Sequence, residues 1–393
     1  MSRHRVELVV ILGALVAFAP MAVDMYLPSF PALEAGFAAT ADQVQRTLAT
    51  FFVGFAFGQA LYGPVADRFG RKPPLYFGLA LFAVTSAGCA LATSIDALIA
   101  LRFLEALGAC AGMVIARAMV RDLFDPRDAA RIFSSLMLVT GLAPMLAPLV
   151  GGYVLIWFGW RAVFWVLTAF GVLALVAVHF RLPESHPADA SRPLALGRIL
   201  TDYGRFLADR RFMGFALSGG IAMAGMFAYI TGSPFVFIGL FGVPAEAYGW
   251  LFGLNALGLV AGAQINGRVL RAGDSERTLR IANMVQAVAG IVLVIAGTTG
   301  WGGLLGIVVP LLVYVGSLGF TMPNATALAM APHGRAAGMA SALIGTLQFS
   351  LAAVAALVVG AIHDGTAVPM TGTIAACGIG AFLTNRLLTY RRR

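Results

Sequence analysis

The stretch RLPESHPADASRPLALGRILTDYGRF, Arg181 to Phe206, is the long polar interruption in an otherwise apolar chain. Its prolines and mixed charges give it the composition of a linker. Outward from it on both sides run segments of about twenty apolar residues, each long enough to cross a bilayer as a helix. Toward the N-terminus they fall near 160–181, 130–155, 97–120, 74–93, 44–66 and 6–27; toward the C-terminus they fall near 212–239, 246–268, 277–299, 302–325, 335–361 and 367–388. The expected fold is therefore all-α integral membrane, with twelve transmembrane helices in two six-helix halves. One bundle spans 1–181, a linker 182–211, and a second bundle 212–393.

The 393 residues are 60% hydrophobic and 11% charged, against roughly 25% charged in a soluble domain. No polar stretch is long enough to fold as a separate extramembrane domain. The opening MSRHRVELVVILGALVAFAPMAV has the basic start and apolar core of a signal peptide. The many apolar runs behind it make it a retained first helix instead. Cys89, Cys110 and Cys377 lie within apolar runs and are odd in number, so they are packing residues and not a disulfide framework or metal site.

The net charge of +9 reflects topology. Lys and Arg concentrate on the cytoplasmic side of membrane proteins, and here they fall in alternate connections. One set holds Arg3 and Arg5; Arg68, Arg71 and Lys72; Arg121, Arg127 and Arg131; Arg181 through Arg211; Arg268, Arg271, Arg277 and Arg280; Arg335; and Arg386 with Arg391 to Arg393. The other set holds little beyond Arg161. Both termini are then cytoplasmic. No basic face with interleaved aromatics exists to bind nucleic acid; the bilayer is the expected partner, with weak attraction to anionic lipid as a by-product.

Two similar hydropathic halves joined by a linker suggest a transporter whose binding site lies between them near the midplane. Charged groups at that depth are costly, so they are functional candidates by default. Among the acids, only Asp24 and Glu105 fall well inside helices, and Arg102 is the base that matches them. Asp24 lies about four residues from the outer end of the first helix and Arg102 about five from the outer start of the fourth, which at 1.5 Å per residue puts them at similar depth. Arg102 and Glu105, spaced i, i+3, share one helix face. Two carboxylates around one guanidinium leave a negative charge uncompensated, which suits one acid to carry a proton. The alternative is a permanent Asp24–Arg102 ion pair that fixes packing. The second half holds no deep acid or base, and no histidine is mid-membrane, with His179 at the inner end of the sixth helix.

Aromatic and Met side chains in membrane helices are mostly packing or lipid-facing. Against that background, Met226, Phe227 and Tyr229 precede a break at Ser233–Pro234, Asn255 is unusual in its apolar run, and Tyr26 stands beside Asp24. These five are candidates for lining a cavity for a small amphipathic substrate, because such a lining can repack around several ligands. A sugar site would carry more Asn, Gln and Trp. Pro28 and Pro31 read as the end of the first helix at the outer surface. Glycine pairs such as Gly54 and Gly58, or Gly258 and Gly262, read as close helix contacts.

The loop GPVADRFGRKP, Gly63 to Pro73, closely resembles the G-x-L-a-D-r-x-G-r-K motif of the major facilitator superfamily, with Val65 for the usual leucine. In that family the loop is a conformational latch. The resemblance assigns Gly63, Asp67, Arg68, Gly70 and Arg71 to it, with the glycines permitting a tight turn, Asp67 docking on a helix N-terminus and Arg71 bridging to Asp122. LRFLEALGACAG, Leu101 to Gly112, is similar to the helix-four motif R-x-x-Q-G, with Glu105 for glutamine. APMLAPLVGG, Ala143 to Gly152, is similar to the helix-five antiporter motif, with Ala147 for glycine; it contributes Pro144, Pro148, Gly151 and Gly152, and the prolines are expected to kink that helix. DMYLPSFP, Asp24 to Pro31, resembles the first-helix signature of the bicyclomycin-resistance (Bcr/CflA) drug exporters.

The resemblance implies a proton-coupled antiporter that exports amphipathic drugs across the bacterial inner membrane by alternating access. It implies a monomer with no cofactor beyond protons as the coupling ion. Export of a small metabolite, an amino acid or a sugar, stays open on the same scaffold. No HExxH, GxSxG or phosphate-loop pattern is present to support a membrane enzyme or a nucleotide-driven pump.

Overall fold

Within hydrocarbon every backbone N–H and C=O must find a partner in its own segment, so apolar runs of this length become helices. The computed structural model describes residues 3–186, 196–269 and 274–389. The middle of the linker (187–195), Arg271 and Arg391 to Arg393 lie outside the described residues, as do the side chains of Arg3, Arg5, Arg127 and Arg335.

Twelve helices of twenty residues or more stand among the described residues. They are α1 (Arg3–Asp24), α2 (Ala41–Phe69), α3 (Lys72–Leu91), α4 (Ile95–Leu123), α5 (Pro126–Phe158), α6 (Trp160–Arg181), α7 (Arg210–Ser233), α8 (Ala245–Val269), α9 (Ser275–Thr299), α10 (Gly303–Met330), α11 (Ala337–Ala361) and α12 (Val368–Thr389). Ten of the apolar helical stretches are long and apolar enough to cross a membrane by length and composition; α8 and α12 are not among them. The reason is compositional: α8 carries Glu246, Gln264, Asn266 and Arg268, and α12 carries Thr371, Thr373, Asn385 and Arg386.

Two local expectations are corrected. The first helix does not end at Pro28 and Pro31: a 3-10 turn over Leu27–Ser29 leads into a further helix, Phe30–Phe37, and Tyr26 to Phe30 are fully buried. Each proline sits in the first turn of a helical segment, where its missing N–H leaves no bond unmade. At Ser233–Pro234 the helix does not break but continues as a π-helix, Pro234–Leu240. Within the expected linker, Leu196–Ala208 is a helix. Its Phe206 packs with Phe212, Phe215 and Leu279 in a buried cluster, so apolar residues in an otherwise polar stretch found a core.

The chain divides into two compact units, Met1–Ala39 with Thr50–Ala195, and Thr40–Ala49 with Leu196–Arg393. In the first, α1 packs on α4, α5 and α6, while α3 packs on α4 and α6. In the second, α7 packs on α10, α11 and α12, while α9 packs on α10 and α12. Each contact of the first unit thus recurs six helices later. Glycine makes the close approaches in both. A β-carbon at Gly54 or Gly58 of α2 would collide with Phe103 or Cys110 of α4, and one at Gly258 or Gly262 of α8 would collide with Leu312 or Gly316 of α10.

Candidate coupling and substrate sites

Arg102 of α4 is fully buried, and three aromatic rings surround its guanidinium. The guanidinium carbon lies 4.4 Å from the centre of the Phe51 ring, 4.7 Å from Tyr26 and 5.9 Å from Phe164. Its Nη1 donates to Glu105 Oε2 at 2.6 Å, and its Nη2 donates to the Ala22 carbonyl of α1 at 3.0 Å. The other carboxylate oxygen of Glu105 accepts from Ser86 Oγ of α3 at 2.6 Å, and the Cys89 thiol lies 4.0 Å from Oε2. Three helices are therefore joined through one ion pair. The i, i+3 spacing predicted the Arg102–Glu105 contact; Ser86 was missed, because a single serine in an apolar run is usually bonded to its own helix.

The expected Asp24–Arg102 contact is replaced by the bond from Arg102 to the Ala22 carbonyl. Asp24 is buried, and its Oδ1 has no hydrogen-bond partner among the described residues. The antiporter-motif helix closes in beside it. Gly151 of α5 lies against the Met25 carbonyl, so tightly that any side-chain carbon there would overlap it. Gly152 and Pro148 are buried, Pro144 is half-buried, and both prolines lie inside the continuous helix α5.

Of the residues that the resemblance assigned to a latch, Asp67 and Asp122 meet Arg71, which follows the turn at Gly70 (φ +85°). Arg71 Nε donates to Asp122 Oδ2 at 2.8 Å and Nη1 donates to Asp67 Oδ1 at 2.6 Å. Burial works against this charge, but the hydrogen bonds to Asp122 and Asp67 outweigh it and hold the guanidinium above its ordinary value. The N-terminus of α3 is met by Glu184, whose two oxygens accept from the backbone N–H of Arg71 and of Lys72, each at 2.9 Å. Ser185 Oγ adds a bond to Asp122 at 3.2 Å. Glu184 was missed; the available signal was an acid three residues beyond a helix end opposite a basic loop. Gly63 makes no turn: it lies inside α2 with open space around it. Arg68 rests 5.3 Å from the Phe69 ring and has no ion pair among the described residues.

In the second unit, Asn255 is buried and donates from Nδ2 to the Tyr229 hydroxyl at 3.3 Å, leaving its Oδ1 without a partner among the described residues. Tyr229 stacks on Phe252, with ring centres 5.4 Å apart, and Phe227 lies 5.5 Å from Phe349. Met226 is half-buried. Ser233, at the π-helix, meets the Tyr248 hydroxyl at 2.8 Å. A second buried set was not anticipated: Thr321 Oγ1 lies 3.4 Å from both Asn283 and Gln286, and Asn324 donates to Asn266 at 2.8 Å.

Long apolar helices in a repeated arrangement, with charge buried in one unit only among the described residues, fit a polytopic membrane transporter. The chain belongs to the Major Facilitator Superfamily, whose sequence profile matches residues 12–357. It is a multi-pass protein of the bacterial inner membrane. It is 39% identical over 94% of its length to an uncharacterized MFS-type transporter, YdgK, of Bacillus subtilis, covering 92% of that protein. It is 33% identical over 97% of its length to a bicyclomycin resistance protein homolog of Haemophilus influenzae, covering 95% of it. The structure of a D-xylose-proton symporter superposes with a TM-score of 0.74 at 15% identity, covering 97% of this chain and 98% of that one, which places the fold alone.

Proposed function

We propose that the protein exports amphipathic drugs from the cytoplasm by alternating access, in exchange for protons, and that it works as a monomer without a cofactor. The bodies that exchange access are the six-helix halves, 1–181 and 212–393, joined by 182–211. Its kinship with the bicyclomycin resistance protein homolog supports a drug as cargo.

The observation that carries the proton reading is the Asp24 carboxylate, buried with an unpartnered oxygen two residues beyond the carbonyl that Arg102 holds. A lone carboxylate inside hydrocarbon is costly, and a bound proton removes the charge. Arg102 keeps Glu105 compensated, so Asp24 carries the exchangeable proton and the Arg102–Glu105 pair sets the potential around it. Gly151 lets α5 reach the Asp24 segment, so a shift of α5 alters its surroundings. The Arg71–Asp122–Glu184 cluster latches the cytoplasmic ends of α2, α3, α4 and α6. Tyr26, Met226, Phe227, Tyr229 and Asn255 supply the substrate contacts.

A second reading, export of a polar metabolite such as an amino acid or sugar, is favoured by the buried Asn266, Asn283, Gln286 and Asn324 of the second unit. A substrate panel in cells lacking other pumps separates the two. For the coupling itself, drug-triggered proton release from purified protein is the test, repeated with Asp24→Asn and Glu105→Gln. The expected result is release by the parent protein and none by Asp24→Asn; absence of release by the parent protein would sink proton antiport.

A further inference from the structure

A groove of about 510 Å³ runs along α8, α9 and α10 of the second unit, with Gly258, Gly262 and Gly316 at its floor and Ile265, Ile281 and Val313 in its walls. A second recess of about 350 Å³ shares Val285 and Val313 with it and continues along α9 to Val292. The α9 stretch from Thr278 to Val292 measures about 21 Å at 1.5 Å per residue. One leaflet's hydrocarbon is roughly 15 Å deep. The groove is therefore long enough to hold a whole acyl chain, and several of its wall residues, Ile265, Ile281 and Val313 among them, are open to the surrounding lipid.

At one end of this apolar channel stand three arginines. Arg268 follows Ile265 by one turn of α8; Arg277 and Arg280 precede Ile281 and Met284 by one turn of α9, which points them along the groove-lining faces. All three are exposed, and none has an ion pair or hydrogen bond among the described residues. The nearby acids are already engaged: Asp274 caps α9 through the Glu276 N–H, and Glu276 is paired with Arg211. A sideways-open apolar channel with uncompensated positive charge at a single end is complementary to one kind of molecule, an amphiphile with an anionic head.

We propose that this groove binds one anionic phospholipid of the surrounding leaflet. Arg268 and Arg277 hold its phosphate, Arg280 flanks the headgroup, and one acyl chain lies against the glycine floor. The site is separate from the coupling charges of the first unit and does not depend on the nature of the cargo.

The test uses the purified full-length protein, equilibrated in detergent with equal amounts of phosphatidylglycerol and phosphatidylcholine, washed, and assayed for retained lipid by mass spectrometry. The protein is expected to retain phosphatidylglycerol in about tenfold excess or more. The R268Q/R277Q/R280Q variant is expected to lose that preference. Val313→Trp, a change on the lipid-facing wall, is expected to lower retention of phosphatidylglycerol while leaving the thermal unfolding midpoint in lipid-free detergent unchanged. Equal retention of the two lipids by the parent protein, or a preference that survives the triple substitution, overturns the proposal. So does displacement of the lipid by excess inorganic phosphate, which would place the affinity on the phosphate with no part for the groove.

Discussion

Arg102 of α4 donates to the Ala22 carbonyl of α1, and Tyr314 of α10 donates to the Ala222 carbonyl of α7, each at 3.0 Å. The two helix pairs correspond, six helices apart, and both donors are fully buried. One unit makes the bond with a permanent cation that needs Glu105 to compensate it; the other makes it with a neutral phenol. The packing scheme is repeated while the charge is not. A structural staple between these helices therefore requires no charge, and the cation in the first unit calls for another explanation; under the proposed function that explanation is proton coupling.

The comparison breaks most sharply under substitution of the two donors. Arg102→Met leaves Glu105 buried and unpaired and is expected to cost roughly 3–5 kcal/mol. Tyr314→Phe removes one neutral bond and is expected to cost about 1 kcal/mol or less. Unfolding of the purified variants, followed by tryptophan fluorescence, measures both; equal losses would mean that charge and phenol do the same job. The double variant Arg102→Met, Glu105→Met removes both charges together and is expected to recover much of the stability, with drug efflux still lost. Efflux by the double variant at the parental rate would reduce the ion pair to packing.

The same contrast marks how far the sequence could be read. Helix positions, the buried acids and Arg102–Glu105 follow from hydropathy and from the i, i+3 rule, because membrane helices satisfy their own backbone and their side-chain faces are fixed by period. What could not be read is which helix lies beside which face. Ser86 and the Ala22 carbonyl reach Arg102–Glu105 from α3 and α1, and Glu184 reaches α3 from beyond α6. These contacts join residues far apart in sequence and leave no local pattern. The prolines at 28 and 31 misled for a different reason: proline ends a helix from within but fits its first turn, and only the backbone path distinguishes the two.

Two helix starts offer a smaller contrast. The N-terminus of α9 is capped locally by Asp274, while that of α3 is capped at long range by Glu184. Asp274→Ala is expected to cost about 1 kcal/mol and to fray only the first turn of α9. Glu184→Ala leaves two N–H groups of α3 without their acceptor, and is expected to cost about 1–3 kcal/mol. It should also release Ser185 from Asp122 and slow transport. Hydrogen exchange resolves the difference: faster exchange is expected at Arg71 and Lys72 in one variant and at Glu276 in the other. Exchange at Arg71 and Lys72 unaltered by Glu184→Ala would remove Glu184 from the latch.

The smallest expected effect separates two arginines three residues apart. Arg68 and Arg71 belong to the same basic loop, and a count of positive charges treats them alike. Their surroundings do not: Arg71 is buried between Asp67 and Asp122, whereas Arg68 rests on Phe69 without an ion pair among the described residues. Arg68→Gln is therefore expected to leave stability within about 0.5 kcal/mol and efflux near the parental rate, since Arg71 and Lys72 still mark the loop as cytoplasmic. Arg71→Gln removes the cation between Asp67 and Asp122 and is expected to lower efflux several-fold at unchanged expression. Should Arg68→Gln impair efflux as strongly as Arg71→Gln, the loop would act through its total charge, and the geometry around Asp122 would not be the latch.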